Sequence, residues 1–163
     1  MKSQADKDSV IARYKEGPAL LERTLAGLKD ADLDTAPTEG GWTIRQIVHH
    51  IVDGDDLWKS CIKMALGNEQ AEFSLDWYRA LSQDTWTKRW AYTQRSIEVS
   101  LALFKAIRNH VVQLLENVPD VWDRSVGFRN ANNEIETVPV GFVIEMQADH
   151  VEHHVKQKET ICK

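Results

Sequence analysis

The stretch Gly40-Gly41-Trp42-Thr43-Ile44-Arg45-Gln46-Ile47-Val48-His49-His50-Ile51 decides how the chain is read. Two glycines close a loop. Thr43 is placed to act as an N-cap, and Gln46 three residues on completes a capping box. The helix so started runs to about Leu66, where Gly67-Asn68 stops it. It carries two adjacent histidines about one turn in. Near the other end of the chain, a second helix carries His150, His153 and His154. Five of the six histidines therefore sit in two short clusters remote in sequence. A helical bundle can bring such clusters together in its core, and a folded chain builds a metal site in that way.

Outward from this stretch, other helices follow from apolar spacing. Val10, Ile11, Tyr14, Leu21, Leu25 and Leu28 recur at helical intervals from about Lys7 to Lys29. Gly17-Pro18 interrupts them. Proline costs about 3 kcal/mol inside a helix, so a kink or a break with a restart at Pro18 is expected. Asp30 to Gly41, with Pro37, reads as a loop. Residues 68–91 are less periodic, hold Phe73, Trp77, Trp86 and Trp90, and read as short helical turns. Ile97, Leu101, Phe104, Ile107, Val111, Leu114 and Val118 share one face of a third helix, which Pro119 ends. Asn130-Ala131-Asn132-Asn133 reads as a turn. Val126 and Phe128 before it, with Ile135 and Thr137 after it, suggest a small β-hairpin. A last helix runs from about Pro139 to the C-terminus. The expected fold is all-α: a single four-helix-bundle domain over residues 1–163, about 30 Å long. The long connection between the second and third helices leaves room for a non-sequential order.

Composition narrows the function classes. The chain has 163 residues, a net charge of -5 and no basic run. Nucleic acid and anionic membrane are therefore not expected as partners. No apolar run approaches the roughly 18 residues that span a bilayer. Met1 to Ser9 is polar and lacks the apolar core of a signal peptide. Cys61 and Cys162 form no CxxC, which suggests free thiols, bystanders to any chemistry, in a cytoplasmic protein.

Helical phase sorts the histidines. In the second helix, Ile44, Ile47, Val48, Ile51, Trp58, Ile62 and Ala65 define an apolar arc. His50 lies about 90° from its centre, beside Leu57 and Cys61, whereas His49 falls nearly opposite and is expected in solvent. In the last helix the arc is Val140, Val143, Ile144, Val151, Val155 and Ile161. His150 and His154 lie within about 40–80° of its centre, one turn apart, and His153 lies well outside. His110 falls on a polar side. Phase thus selects His50, His150 and His154. Each could also be an ordinary core or boundary histidine. As ligands, neutral imidazoles suit zinc, nickel, iron or copper, and three of them leave an open position.

The stretch from Trp42 to His50, with Leu33-Asp34-Thr35 before it, closely resembles the DinB/YfiT-like superfamily. Ile97-Glu98-Val99-Ser100-Leu101-Ala102-Leu103-Phe104 and His150-Val151-Glu152-His153-His154 do too. The resemblance implies an up-down-down-up four-helix bundle, commonly a homodimer. It also implies a divalent nickel or zinc ion on the second histidine of the HH pair and on the first and last of HxxHH. Those positions are again His50, His150 and His154. It further implies a metal-dependent hydrolase acting on a small molecule or, in related members, an S-transferase that uses a bacterial thiol. A non-catalytic metal-binding dimer is the remaining alternative.

A hydrolase needs a base near the metal. Glu152 points away from the ligand face, and Asp149 lies opposite the apolar arc. Asp55 sits about 20–50° from the centre of the second helix's apolar face, either as a base, as an orienter of a histidine, or as a buried partner of Arg108, the reading preferred here. Asp53 is a weaker candidate. This shortage of bases leans toward thiol chemistry. The segment from Trp77 to Trp90 is core, or else the cover of an apolar substrate pocket.

Overall fold

The computed structural model describes residues 2–36, 40–68 and 70–159, the side chains of 157–159 excepted. Pro37, Ile161 and Cys162 lie outside the described residues. Four long helices form a bundle: α1 (Gln4–Leu25), α2 (Ile44–Gly67), α5 (Ile97–Asn117) and α6 (Val140–Glu159). Between α2 and α5 come β1 (Glu72–Ser74), α3 (Asp76–Arg79) and α4 (Gln83–Arg89). β2 (Ser125–Arg129) and β3 (Ile135–Pro139) separate α5 from α6.

Side-chain links give the helix directions. Lys2 reaches Glu145 and Arg13 reaches Glu152, so α1 and α6 run parallel. His49 meets Ser100 and Asp55 meets Arg108, so α2 and α5 are parallel as well. His50 meets His150 and the Asp55 carbonyl meets Gln147, so α2 and α6 are antiparallel. The order is up-down-down-up. Because α2 and its successor α5 point the same way, the chain must first return along the bundle, roughly 30 Å. Residues 68–96 make that return.

The capping box at Thr43 is present: Thr43 N–H donates to Gln46 Oε1 at 2.9 Å, and Gln46 N–H donates to Thr43 Oγ1 at 3.2 Å. The next turn is tied down by Arg45, which is buried and donates to Asp34 Oδ1 (2.7 Å) and Asp30 Oδ1 (2.9 Å).

Pro18 does not break α1, which runs from Gln4, capped by Ser3, to Leu25. Proline lacks the N–H that would bond the Tyr14 carbonyl four residues earlier. Arg108 of α5 fills the gap: its Nη1 donates to Tyr14 O at 2.7 Å. Gly17 makes room, since a Cβ there would lie 3.1 Å from Arg108 Nη1. Arg108 also grips both Asp55 oxygens, one at 2.9 Å, and donates to Gln147 O at 3.0 Å. The Tyr14 and Phe104 rings face its guanidinium at 3.9 and 4.8 Å. One fully buried side chain thus joins α1, α2, α5 and α6.

The expected hairpin is the β2–β3 pair, with Val126 opposite Val138. It gains a third strand that the sequence reading did not contain. β1 pairs parallel with β2, and Phe73 on β1 packs with Phe128 and with Trp58 of α2. The sheet therefore rests on the second half of α2. The segment after β1 forms the two short helices, as the reading of residues 68–91 suggested.

Candidate metal centre

Three imidazoles converge between α2 and α6. His50 projects from the second turn of α2. His150 and His154 stack one turn apart on α6. His150 Nε2 lies 3.2 Å from His50 Nε2 and 3.1 Å from His154 Nε2. One ligand atom from each ring falls within 4.8 Å of the others. Hydrogen bonds alone cannot account for this. An imidazole nitrogen carries either a proton or a lone pair, so His150 Nε2 cannot serve both neighbours well. Three lone pairs around one cation resolve the conflict. With metal–nitrogen bonds of about 2.0–2.1 Å, tetrahedral ligand atoms sit about 3.4 Å apart, close to the observed separations. The donor set therefore fits a divalent transition metal.

The surroundings keep the His50 and His150 rings neutral, as ligation requires. Burial, then the nearness of His154, pushes the His50 pKa down to about 4. Burial, then His154 and His50, pushes His150 down to about 3. The Trp42 ring meets His50 edge-on at 5.1 Å, and its indole N–H donates to Asp84 at 2.7 Å. A Cβ at Gly54 would lie 3.8 Å from His150 Cε1, so the α2 backbone passes close under that ring. Neither Trp42 nor Gly54 was picked out as a site residue. The signal for Trp42 was its position at the mouth of a loop directly before the helix that carries His50.

His49 is a correction. It was expected in solvent, yet it is fully buried. Its Nε2 donates to Arg95 O at 3.2 Å and its Nδ1 accepts from Ser100 Oγ at 2.9 Å. The phase argument counted only apolar neighbours. The face opposite the arc is covered by the chain entering α5, whose Tyr92 ring packs on the imidazole at 5.3 Å. Burial lowers the His49 pKa. This histidine anchors α5 and is turned away from the three converging rings. His153 and His110 are exposed, as expected.

Three of the four expected carboxylates are engaged in close arginine pairs. Asp55 is spent on Arg108 in a fully buried pair; burial pushes its carboxyl up while the guanidinium pulls it down. Glu152 and Asp149 both pair with Arg13 on the outer side of α6. Asp53 sits 3.8 Å from Arg95. The Cys61 thiol is buried, which pushes it up to about 12 and leaves it unreactive.

A cavity of about 210 Å³ opens beside the histidines, lined by His50 and His150 at one end. Leu57, Trp58, Leu75, Tyr78 and Met146 supply much of its wall. None of Trp77, Trp86 and Trp90 lines it. Trp77 is 52% exposed, and Trp86 is buried in a stack with Tyr78 and Trp90. The tryptophan segment therefore supports the pocket from behind and contributes Tyr78 to it.

The family model of the DinB superfamily matches residues 13–157. This chain belongs to the DinB superfamily. A protein of Oceanobacillus iheyensis is 28% identical over 94% of this chain and 84% of its own length. YfiT of Bacillus subtilis is 26% identical over 94% of this chain and 82% of its own. Both names provisionally designate a metal-dependent hydrolase. The solved YfiT structure, described as a probable metal-dependent hydrolase with an unusual four-helix bundle topology, superposes with a TM-score of 0.83 at 25% identity, over 99% of this chain and 88% of that one. A mycothiol-dependent maleylpyruvate isomerase shares the fold, with a TM-score of 0.68 at 15% identity over 96% of this chain and 63% of that one. No described helix of this DinB-superfamily protein is long and apolar enough to cross a membrane.

Proposed function

We propose that this protein is a metal-dependent hydrolase of a small molecule, holding a divalent nickel or zinc ion on His50, His150 and His154. The observation that carries the reading is the convergence of three imidazoles beside a largely apolar cavity. The designation of the Oceanobacillus and Bacillus relatives supports the reaction class. A cation on three imidazoles keeps an open position, at which it can polarise a carbonyl or acidify water. The chain's own residues do the rest. Burial keeps the His50 and His150 lone pairs available near neutral pH. Trp42 and the close α2 backbone at Gly54 fix ring orientation. The apolar wall excludes water from the substrate's far side.

One observation favours a second reading. Among the described residues, Asp55, Asp149 and Glu152 are committed to arginines, and Asp53 lies 3.8 Å from Arg95. A low-molecular-weight bacterial thiol would need no such base, because thiols ionise on bound metals. In that case the activity is S-transfer to an electrophile seated in the cavity. A cytoplasmic homodimer, with no nucleic-acid or membrane partner, completes the proposal.

Metal-loaded protein and His50→Ala, assayed with ester and amide panels and with small thiols plus 1-chloro-2,4-dinitrobenzene, test the choice. Ester or amide cleavage that disappears in His50→Ala is the expected result. Thiol consumption without cleavage selects the transferase. Silence in both assays from fully loaded protein points to a metal kept for stability.

A further inference from the structure

The cavity beside the histidines also constrains what the enzyme accepts. Its reactive end is set by His50 and His150. The opposite wall is apolar and held rigidly. Trp58 is clamped against Phe73 and Phe128, with ring centroids 5.6 and 5.5 Å away. Tyr78 is stacked on Trp86 at 5.3 Å and 13°, and its hydroxyl donates to Gln83 at 2.7 Å. The polar side chains of the lining are engaged except for Gln147 Oε1, a buried acceptor with no hydrogen-bond partner among the described residues, which can take an N–H or O–H but not a charge. Asp55 is neutralised by Arg108, Gln83 accepts from Tyr78, and the Gln147 amide faces the Asp55 carbonyl at 3.4 Å. Among the described residues, no cationic side chain lines the cavity to receive a charged substituent, and no unpaired carboxylate does either. An apolar cavity of about 150 Å³ holds one benzene, so about 210 Å³ holds a ring with a few further atoms.

We infer that this pocket selects a substrate carrying an uncharged, ring-sized apolar group, aryl or branched alkyl, with its reacting atom at the His50–His150 end. This rests on the metal reading above and adds a substrate class to it. The physical cause is a pair of opposed terms. Burying a ring against preformed apolar walls is favourable, whereas burying an unpaired charge there is costly.

Three hydroxamates separate the terms, each using the same metal-binding head: acetohydroxamate, benzohydroxamate and 4-carboxybenzohydroxamate. Their affinities for zinc-loaded protein are read by calorimetry, with zinc content measured on the same sample. Benzohydroxamate should bind at least about tenfold tighter than either of the others. In Met146→Lys, which places an ammonium at the wall, the carboxylated probe should gain on benzohydroxamate. The wild-type comparison stands by itself if that variant does not fold. Equal affinities for the three probes on zinc-bearing protein, undetectable binding included, overturn the inference and leave the metal reading intact. Protein that takes up no zinc overturns both.

Discussion

Two polar clusters lie in the middle of this bundle, and they differ in whether the protein alone completes them. Around Arg108 the guanidinium is satisfied, although the buried Tyr14 hydroxyl and Gln147 Oε1 beside it have no hydrogen-bond partner among the described residues. The guanidinium meets a carboxylate, two backbone carbonyls and two aromatic faces, drawn from four helices. Around His150 the ring nitrogen is not satisfied. Its Nε2 faces two other imidazole nitrogens at 3.1–3.2 Å, an arrangement that protons cannot satisfy at every contact. A buried charge fully met by the protein's own groups holds the fold together. A cluster that needs a further atom is where a ligand belongs, and a cavity lined by His50 and His150 adjoins it.

The comparison can be broken most forcefully at its structural half. Arg108→Ala strands Asp55 as a buried charge and should cost about 3–5 kcal/mol, read by denaturant unfolding. Arg108→Met with Asp55→Leu should regain much of that, because the desolvated pair is removed whole. Stripping the metal with a chelator should act differently. It removes only the binding contribution, about 2.7 kcal/mol when free metal was a hundredfold above its dissociation constant. Far-UV dichroism should stay helical, since the Arg108 cluster needs no metal. Collapse of the helices on chelation would erase the distinction between the two clusters. Gly17→Ala presses a methyl toward Arg108 Nη1 at 3.1 Å and should cost about 1–2 kcal/mol in melting experiments, without altering metal content.

The smallest effect lies at the surface. Arg13 holds the Glu152 carboxyl below its ordinary 4.5 by hydrogen bonding. A carboxyl whose folded pKa lies below its unfolded value stabilises the fold above the unfolded pKa. That contribution is lost as pH falls through the folded value. Both side chains are about a third exposed, so only a few tenths of a kcal/mol are at stake. Wild type and Arg13→Ala should differ slightly in stability at pH 7 and converge as pH falls below the depressed folded value of Glu152.

Much of this was legible because the periods are strong. Four amphipathic helices, the Thr43 capping box and the inward phase of His50, His150 and His154 all follow from spacing. The Asp55–Arg108 pair followed from the same phase and from the cost of a lone buried charge. What stayed hidden depended on distant partners. Pro18 looked like a breaker because the guanidinium that replaces its missing N–H comes from residue 108. His49 looked exposed because its cover is polar and aromatic chain from residues 92–100, which an apolar arc does not register. Asp34 carried no sign of its bond to Arg45. β1 is three residues long, too short for any alternation to show, and it exists by pairing with β2.

Neighbouring histidines allow the most direct test of the centre. Elemental analysis of purified wild type, His49→Gln and His50→Ala should find about one divalent transition-metal ion per chain in the first two and none in the third. Metal retained by His50→Ala, or lost from His49→Gln while the protein remains folded, would contradict the assignment of the three converging imidazoles as its ligands.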